Sequence, residues 1–424
     1  MAGYIEDRWL TKRPDPATGK RRRTQLYGKG KRYKVTGIPG VRSRSFDQLS
    51  GPNGANAWKA KAQADTMRGE FVDPRDGSIS FEDYFQTHYW PTQTGDPGSL
   101  DTIERRVRVR VIPNLGKLPL NTIRVPQLRE FLAVLDAKYS ETTTLETWGT
   151  LSGVLQAAVD DERLAKNPCL ARTIKLPSRR QPKARAWDRE KVAAVRAGLD
   201  ECYRIMVDLG VGAGLRQGEV FGLSPDDIDE ADEVIHVRRQ VRIIKNRQVF
   251  SPPKGNKTRS VPLPATLARR LRAHLEAFPA HTVTLPWINP SEPTSKKEAE
   301  SWAPQSHRLV VTGSVGHKAL RRSSFNEGPW KRALASAGVI PPAPPRKPGS
   351  SRIAKHAAAP QDGFHVLRHT FASVHLHERE SVVSVAAWLG HADPAITLKV
   401  YAHMMPEADG RGRRAMDAWL KALP

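Results

Sequence analysis

The chain has 424 residues, 39% of them apolar, which at about 150 residues per domain makes room for roughly three domains, each able to bury a core. Its formal net charge of +24 and pI near 10.2 oppose compaction and point to a polyanionic partner, nucleic acid first. Two cysteines, Cys169 and Cys202, exclude a disulfide framework and a zinc-type cluster, while the absence of an apolar leader or of any run near the ~18 apolar residues of a membrane span leads us to expect a soluble, intracellular protein with no membrane contact.

Residues 1–50 carry 13 Lys or Arg against four Asp or Glu, a local charge of +9 from 13 minus 4. Short β-prone runs at 32–38 and 41–46 are joined by the turn-forming Ile38-Pro39-Gly40, and a helical stretch follows over 55–67, so a small basic sheet on a helix is expected. Residues 69–77 read as a linker. Ser80, with Asp83 three residues on, is placed to cap a helix. Leu128, Phe131, Leu132 and Leu135 share one helical face over 125–137, and Leu145, Trp148, Leu151, Val154, Leu155 and Val159 form a stripe over 142–164 that Asn167-Pro168 is expected to end. Residues 78–175 are therefore expected to be a compact helical domain, followed by a basic, Pro-flanked linker at 175–182. Beyond it, 190–223 is mainly helical, 234–249 is strand-like, 260–263 belongs to a hairpin arm and 265–278 is helical. Residues 280–362 are poorly patterned and Pro/Ser-rich apart from a short helix near 325–337, and helices return from His365 to the end.

Breaking a DNA phosphodiester without a metal needs a nucleophile for phosphorus, cations for the non-bridging oxygens and an acid for the departing 5′-oxygen. Arginine suits the oxygens, because its planar fork binds phosphate bidentately and keeps its proton. Four short segments offer these groups: Ala213-Gly214-Leu215-Arg216-Gln217-Gly218-Glu219, Pro253-Lys254-Gly255-Asn256-Lys257-Thr258-Arg259, His365-Val366-Leu367-Arg368-His369, and Leu389-Gly390-His391-Ala392-Asp393-Pro394 followed by Thr397 and Tyr401. Each has an ordinary alternative: Arg216 with Glu219 as a helical ion pair, His365 as a structural histidine, Lys254 at a solvated hairpin tip, His391 behind a glycine cap and Tyr401 as a packed aromatic. Their co-occurrence in one order, with Tyr401 the only tyrosine after Tyr203, favours a shared role.

In that order the segments resemble the active-site boxes of the tyrosine recombinase, or phage integrase, family, over roughly the last 240 residues. The resemblance implies a multidomain, mainly α fold with small β-sheets: an N-terminal β-sheet-plus-helix arm-type DNA-binding domain (1–72), a helical, SAM-like core-binding domain (78–175) and a mixed α/β catalytic domain (183–424). It implies that Tyr401 attacks the scissile phosphate to form a 3′-phosphotyrosyl bond, that Arg216 and Arg368 clamp the non-bridging oxygens, and that Lys254 protonates the 5′-oxygen, with Lys257 the runner-up. His365 would hydrogen-bond the phosphate and is the expected acceptor of the tyrosine proton. His391 would be a further donor, and Glu219 would orient Arg216.

No cofactor is expected, since the bond energy is conserved in the covalent intermediate and the sequence shows neither a P-loop nor a two-metal carboxylate cluster. Candidate DNA contacts are Arg21, Arg22, Arg23, Arg32, Lys34, Arg42 and Arg44 in the first domain and Arg179, Arg180, Lys183 and Arg185 around the linker. Met416, Trp419, Leu420 and Leu423 make one apolar face, which either packs on its own domain or, as the resemblance suggests, docks on a neighbouring protomer. Implied partners are double-stranded DNA at attachment sites, three further copies in a tetramer, and room for an accessory bending or directionality factor, in a bacterial host cytoplasm at the nucleoid. The alternatives are a type IB topoisomerase-like enzyme and a DNA-binding regulator on a decayed scaffold.

Overall fold

The computed structural model describes residues 3–68, 71, 73, 75–178, 183–289, 303–345, 356, 357, 359–405 and 410–422. The chain divides into two units, one of Met1–Gly95 with Ser99–Arg180 and one of Asp96–Gly98 with Gln181–Pro424. Helices dominate, and the sheets are small, with two or three strands each. Among the described residues no helix is long and apolar enough to cross a membrane.

The first unit holds two separate cores. Strands β1 (Tyr4–Asp7), β2 (Tyr33–Thr36) and β3 (Arg44–Phe46) pair antiparallel in that order and lie under the helix Ala55–Met67. Val35, Ile38, Phe46, Ala55 and Ala62 form the core between them. β1 lies in a stretch for which no element is expected; its alternation is only four residues long and pairs with β2 across a basic loop of 25 residues, from 8 to 32. The second core is all-helical and built on Phe81, Tyr84, Val107, Val111, Leu128, Phe131, Trp148, Leu151, Val154 and Leu155. Ser80 does cap the helix at Phe81, its Oγ accepting from the Asp83 amide at 3.0 Å. The long helix ends earlier than expected, running Glu141–Asp160, because Glu162 turns to a positive φ of 56°. Asn167 instead caps the short turn Pro168–Leu170, accepting from Cys169 N at 3.0 Å.

In the second unit β4 (Ile228–Asp229), β5 (Val234–Val237) and β8 (Arg259–Pro262) form one sheet, ordered β4-β5-β8. β6 (Gln240–Ile244) and β7 (Arg247–Ser251) make a hairpin, and residues 252–258 carry the chain from β7 to β8. β9 (His281–Leu285) and β10 (Gln305–Leu309) pair antiparallel within the region read as unpatterned. Helix Glu201–Gly212 buries Ile205, Met206, Val207 and Leu209 in the main core and packs against helix His365–His377. That contact fixes the height at which Arg368 enters the interior.

Candidate active site

Five of the six expected catalytic side chains converge in the second unit. Arg216 is the N-cap of the helix Gln217–Phe221: its amide donates to Glu219 Oε2 at 2.8 Å and its guanidinium to Glu219 Oε1 at 2.9 Å. A second guanidinium nitrogen reaches the Gly390 carbonyl at 3.4 Å. The cap thus does two jobs, satisfying an orphan amide and holding the guanidinium in one rotamer.

Arg368 is fully buried, on the inner face of helix His365–His377. It donates to the Gly214 carbonyl at 2.7 Å and to the Leu389 carbonyl. Gly214 makes this possible. It sits at φ +62°, and a Cβ there would lie 2.6 Å from Phe371 on the Arg368 helix. Burial, then the neighbouring Arg216 charge, pulls the Arg368 guanidinium down to about 9, so it remains a cation at neutral pH.

Glu219 is the hub. Arg259, at the start of β8, grips it with both terminal nitrogens at 2.9 and 2.7 Å and donates its Nε–H to the Trp388 carbonyl at 2.6 Å. Burial works to raise the Glu219 carboxyl, but the Arg259 hydrogen bonds and the charges of Arg259 and Arg216 prevail and hold it at about 2. Arg259 lies within a segment singled out from the sequence, yet no role is expected for it there.

The helix Val382–Leu389 ends at Gly390 in the left-handed region, φ +61°, where a Cβ would press on Arg259 Cδ at 3.2 Å. The turn aims His391 inward, with its Nδ1 2.8 Å from Thr397 Oγ1. Asp393 caps the next helix, Pro394–Tyr401, by accepting from Ala395 N at 2.8 Å, and that helix delivers Tyr401 at its last turn. Burial, then the charges of Arg368, Arg216 and Arg259, brings the His391 imidazole down to about 4.

Tyr401 is 1% exposed, and burial raises its phenol against the pull of Arg368 and Arg216. Its Oη is 2.8 Å from Nδ1 of His369. The expected proton acceptor, His365, lies one turn earlier on the same helix, with its ring 4.8 Å from that of His369. Desolvation of its inner edge, then the neighbouring His369, Arg368, Arg216 and Arg322, lowers the His365 imidazole, although the residue as a whole is exposed.

Lys254 stands apart. It is exposed on the turn between β7 and β8, where Gly255 and Asn256 take positive φ, and among the described residues no contact joins it to the cluster. Lys257 is exposed on the same turn. Among the described residues no group of three or more His, Cys, Asp or Glu side chains is arranged to hold a metal ion.

Of the candidate DNA contacts, Arg21 is exposed, Arg22 pairs with Asp15, and Arg23 lies over the Tyr27 ring at 4.2 Å. Arg32 is engaged by Asp7 at 2.8 Å and stacks near Trp9 and Tyr33, while Arg42 pairs with Asp76 at 3.3 Å. Arg44 is exposed over Phe46 and Trp58, and Lys34 is half-buried on β2. Lys183 and Arg185 are exposed; Arg179 and Arg180 lie outside the described residues.

No family model matches the chain. Among curated proteins it is 25% identical over 387 residues to the integrase of Mycobacterium phage L5, covering 89% of this chain and 91% of that one. It is also 25% identical over 265 residues to a XerC-like tyrosine recombinase of Caldanaerobacter subterraneus subsp. tengcongensis, a match spanning 59% of each chain. Among solved structures, the Tn1549 transposon integrase in complex with a circular intermediate DNA matches with a TM-score of 0.60 at 14% identity, over 81% of this chain and all of that one. A lambda integrase tetramer bound to a Holliday junction matches at 0.54 and 12%, over 92% of this chain and 99% of that one. At such identities the structural matches establish the fold.

Proposed function

We propose that this chain, a site-specific tyrosine recombinase of the phage integrase family, cuts and rejoins duplex DNA through a 3′-phosphotyrosyl bond formed by Tyr401. The observation that carries this is a charge imbalance around a buried phenol. Arg216, Arg259 and Arg368 bring three guanidiniums together where, among the described residues, Glu219 is the carboxylate paired with them, leaving +2 from 3 minus 1 beside Tyr401. A buried cation without an anionic partner is costly, and a phosphodiester supplies the missing charge where the phenol can reach phosphorus.

In this scheme Arg216 and Arg368 hold the non-bridging oxygens, with His391 and His365 as further hydrogen-bond donors. Fixed donors of this kind stabilise the charge that develops in the transition state without reorganising. Lys254 comes to the scissile phosphate with the bound duplex and protonates the leaving 5′-oxygen. The phosphodiester energy is kept in the protein–DNA bond, so neither ATP nor a metal is required. Exposed Arg21, Arg23, Arg44, Lys183 and Arg185 contribute backbone contacts, which give affinity more than sequence.

Strand exchange requires a tetramer in this scheme. In the helix Arg411–Lys421, residues 412–421 are exposed, with Met416, Trp419 and Leu420 more than half open to solvent. We assign it to docking on a neighbouring protomer; Leu423, expected on the same face, lies outside the described residues. The deciding experiment is covalent trapping on nicked suicide duplexes that span candidate attachment sites, followed by peptide mapping. An adduct on the peptide containing Tyr401, formed in chelator, is expected. An adduct on another residue, or one that persists in Tyr401→Phe, refutes the assignment, and plasmid relaxation without two-site recombination would identify a topoisomerase instead.

A further inference from the structure

Before Tyr401 can bond to phosphorus its phenol must lose a proton, and the structure narrows where that proton goes. Tyr401 is 1% exposed, so bulk water does not reach Oη in this state. The one hydrogen bond that Oη makes among the described residues is to His369 Nδ1, at 2.8 Å, with the two rings edge to face at 5.5 Å. His391 is engaged elsewhere, its Nδ1 on Thr397. His365 is a turn away on the outer side of His369.

We propose that His369 is the catalytic base that takes the phenolic proton from Tyr401 as Oη bonds to phosphorus. The inference rests on the Tyr401 assignment above and adds a residue to it. The step balances. The Oη–H bond breaks toward His369 Nδ1, the Oη–P bond forms, the P–O5′ bond breaks, and O5′ takes a proton from Lys254. Rejoining runs the same transfers backwards, so imidazolium and amine both return to their starting forms.

The surroundings of His369 also tie proton transfer to the arrival of a phosphate. Burial, then the Arg368 charge, brings the His369 imidazole down to about 4, which keeps it a neutral acceptor and a weak base. A phosphodiester seated between Arg216 and Arg368 places a negative charge beside the ring and raises its proton affinity. Activation of the phenol is thereby tied to occupancy of the phosphate site.

Single-turnover cleavage of the nicked suicide duplexes by the full chain tests this, with His369→Ala and His369→Asn compared across pH. Asn places an acceptor oxygen near the Nδ1 position but takes no proton. Both variants should cleave about 10²-fold or more slowly, the usual worth of general-base catalysis. The unsubstituted chain should lose rate as pH falls through the complexed imidazole's pKa. Both variants should lack that limb and gain rate steadily toward high pH, where hydroxide substitutes. A His369→Asn rate within threefold of the unsubstituted chain, or an unchanged acid limb in His369→Ala, overturns the proposal and leaves His369 a positioning residue. Should His369→Ala fail to fold, the Asn variant alone decides. Absence of any adduct from the unsubstituted chain would strike the Tyr401 assignment itself, a different failure.

Discussion

The proposed catalytic groups divide into a set held by the protein and an exposed lysine. Arg216, Arg368, His391 and Tyr401 are each held by at least one hydrogen bond to the protein. Lys254 is exposed on an open turn and, among the described residues, makes no contact with any of them. Of the first set, Arg216, Arg368 and His391 would face the charge that grows on the phosphate oxygens in the transition state, so rigidity favours them. Lys254 would meet a leaving oxygen whose position depends on the duplex, and a flexible four-carbon stem on the exposed turn that joins β7 to β8 suits delivery on arrival. One site therefore combines a prebuilt clamp with a group recruited by its substrate.

The sharpest way to break this comparison is Tyr401→Phe, which should leave no covalent adduct on a denaturing gel while duplex binding persists. Next in size, Arg368→Lys removes the fork but keeps charge, and should lower single-turnover cleavage about 10³-fold. Lys254→Ala should cost about 10²-fold, with thermal unfolding unchanged because its side chain is exposed, and a 5′-phosphorothiolate substrate should restore the rate. No rescue would remove Lys254 as the acid and erase the division drawn above. Glu219→Gln should act mainly on folding, lowering stability by about 3–5 kcal/mol as the buried guanidiniums lose their counter-charge; calorimetry should show the catalytic unit's transition moving down. The pH dependence follows from the same residue. Its folded pKa, about 2, lies below the ordinary glutamate value of 4.5, so its contribution is complete above the latter and is lost as pH falls toward 2. The smallest effect on the monomer should come from deleting 411–424, which should leave duplex binding by gel shift intact while two-site recombination fails; recombination by the deleted chain would refute docking in trans.

Much of this was legible from residue spacing. Arg216 and Glu219 bracket one helical turn, and Gly390 before His391 signals the left-handed cap that the structure shows. His369 was legible in the same way: it stands at i+4 from His365, which puts it on that residue's face of the helix. Arg259 was likewise readable, because strand alternation places it on the same side as the buried Val261. What spacing does not convey is partner choice. Nothing local to Arg259 announces that its anion is 40 residues upstream at Glu219. The β9–β10 pair was illegible for a related reason: 19 residues separate Leu285 from Gln305, and register over such a gap is set by tertiary packing.

Glu219 has a consequence for how binding energy is used. Both its oxygens are occupied, one carboxylate joining the Arg216 backbone to β8 and, through Arg259, to the Trp388 carbonyl. The spacing between the two halves of the phosphate cradle is accordingly settled while the polypeptide folds, and its ordering entropy is incurred then. In the proposed reaction, contacts made later with the duplex would not have to assemble the cradle, and their free energy would remain available for other work on the DNA.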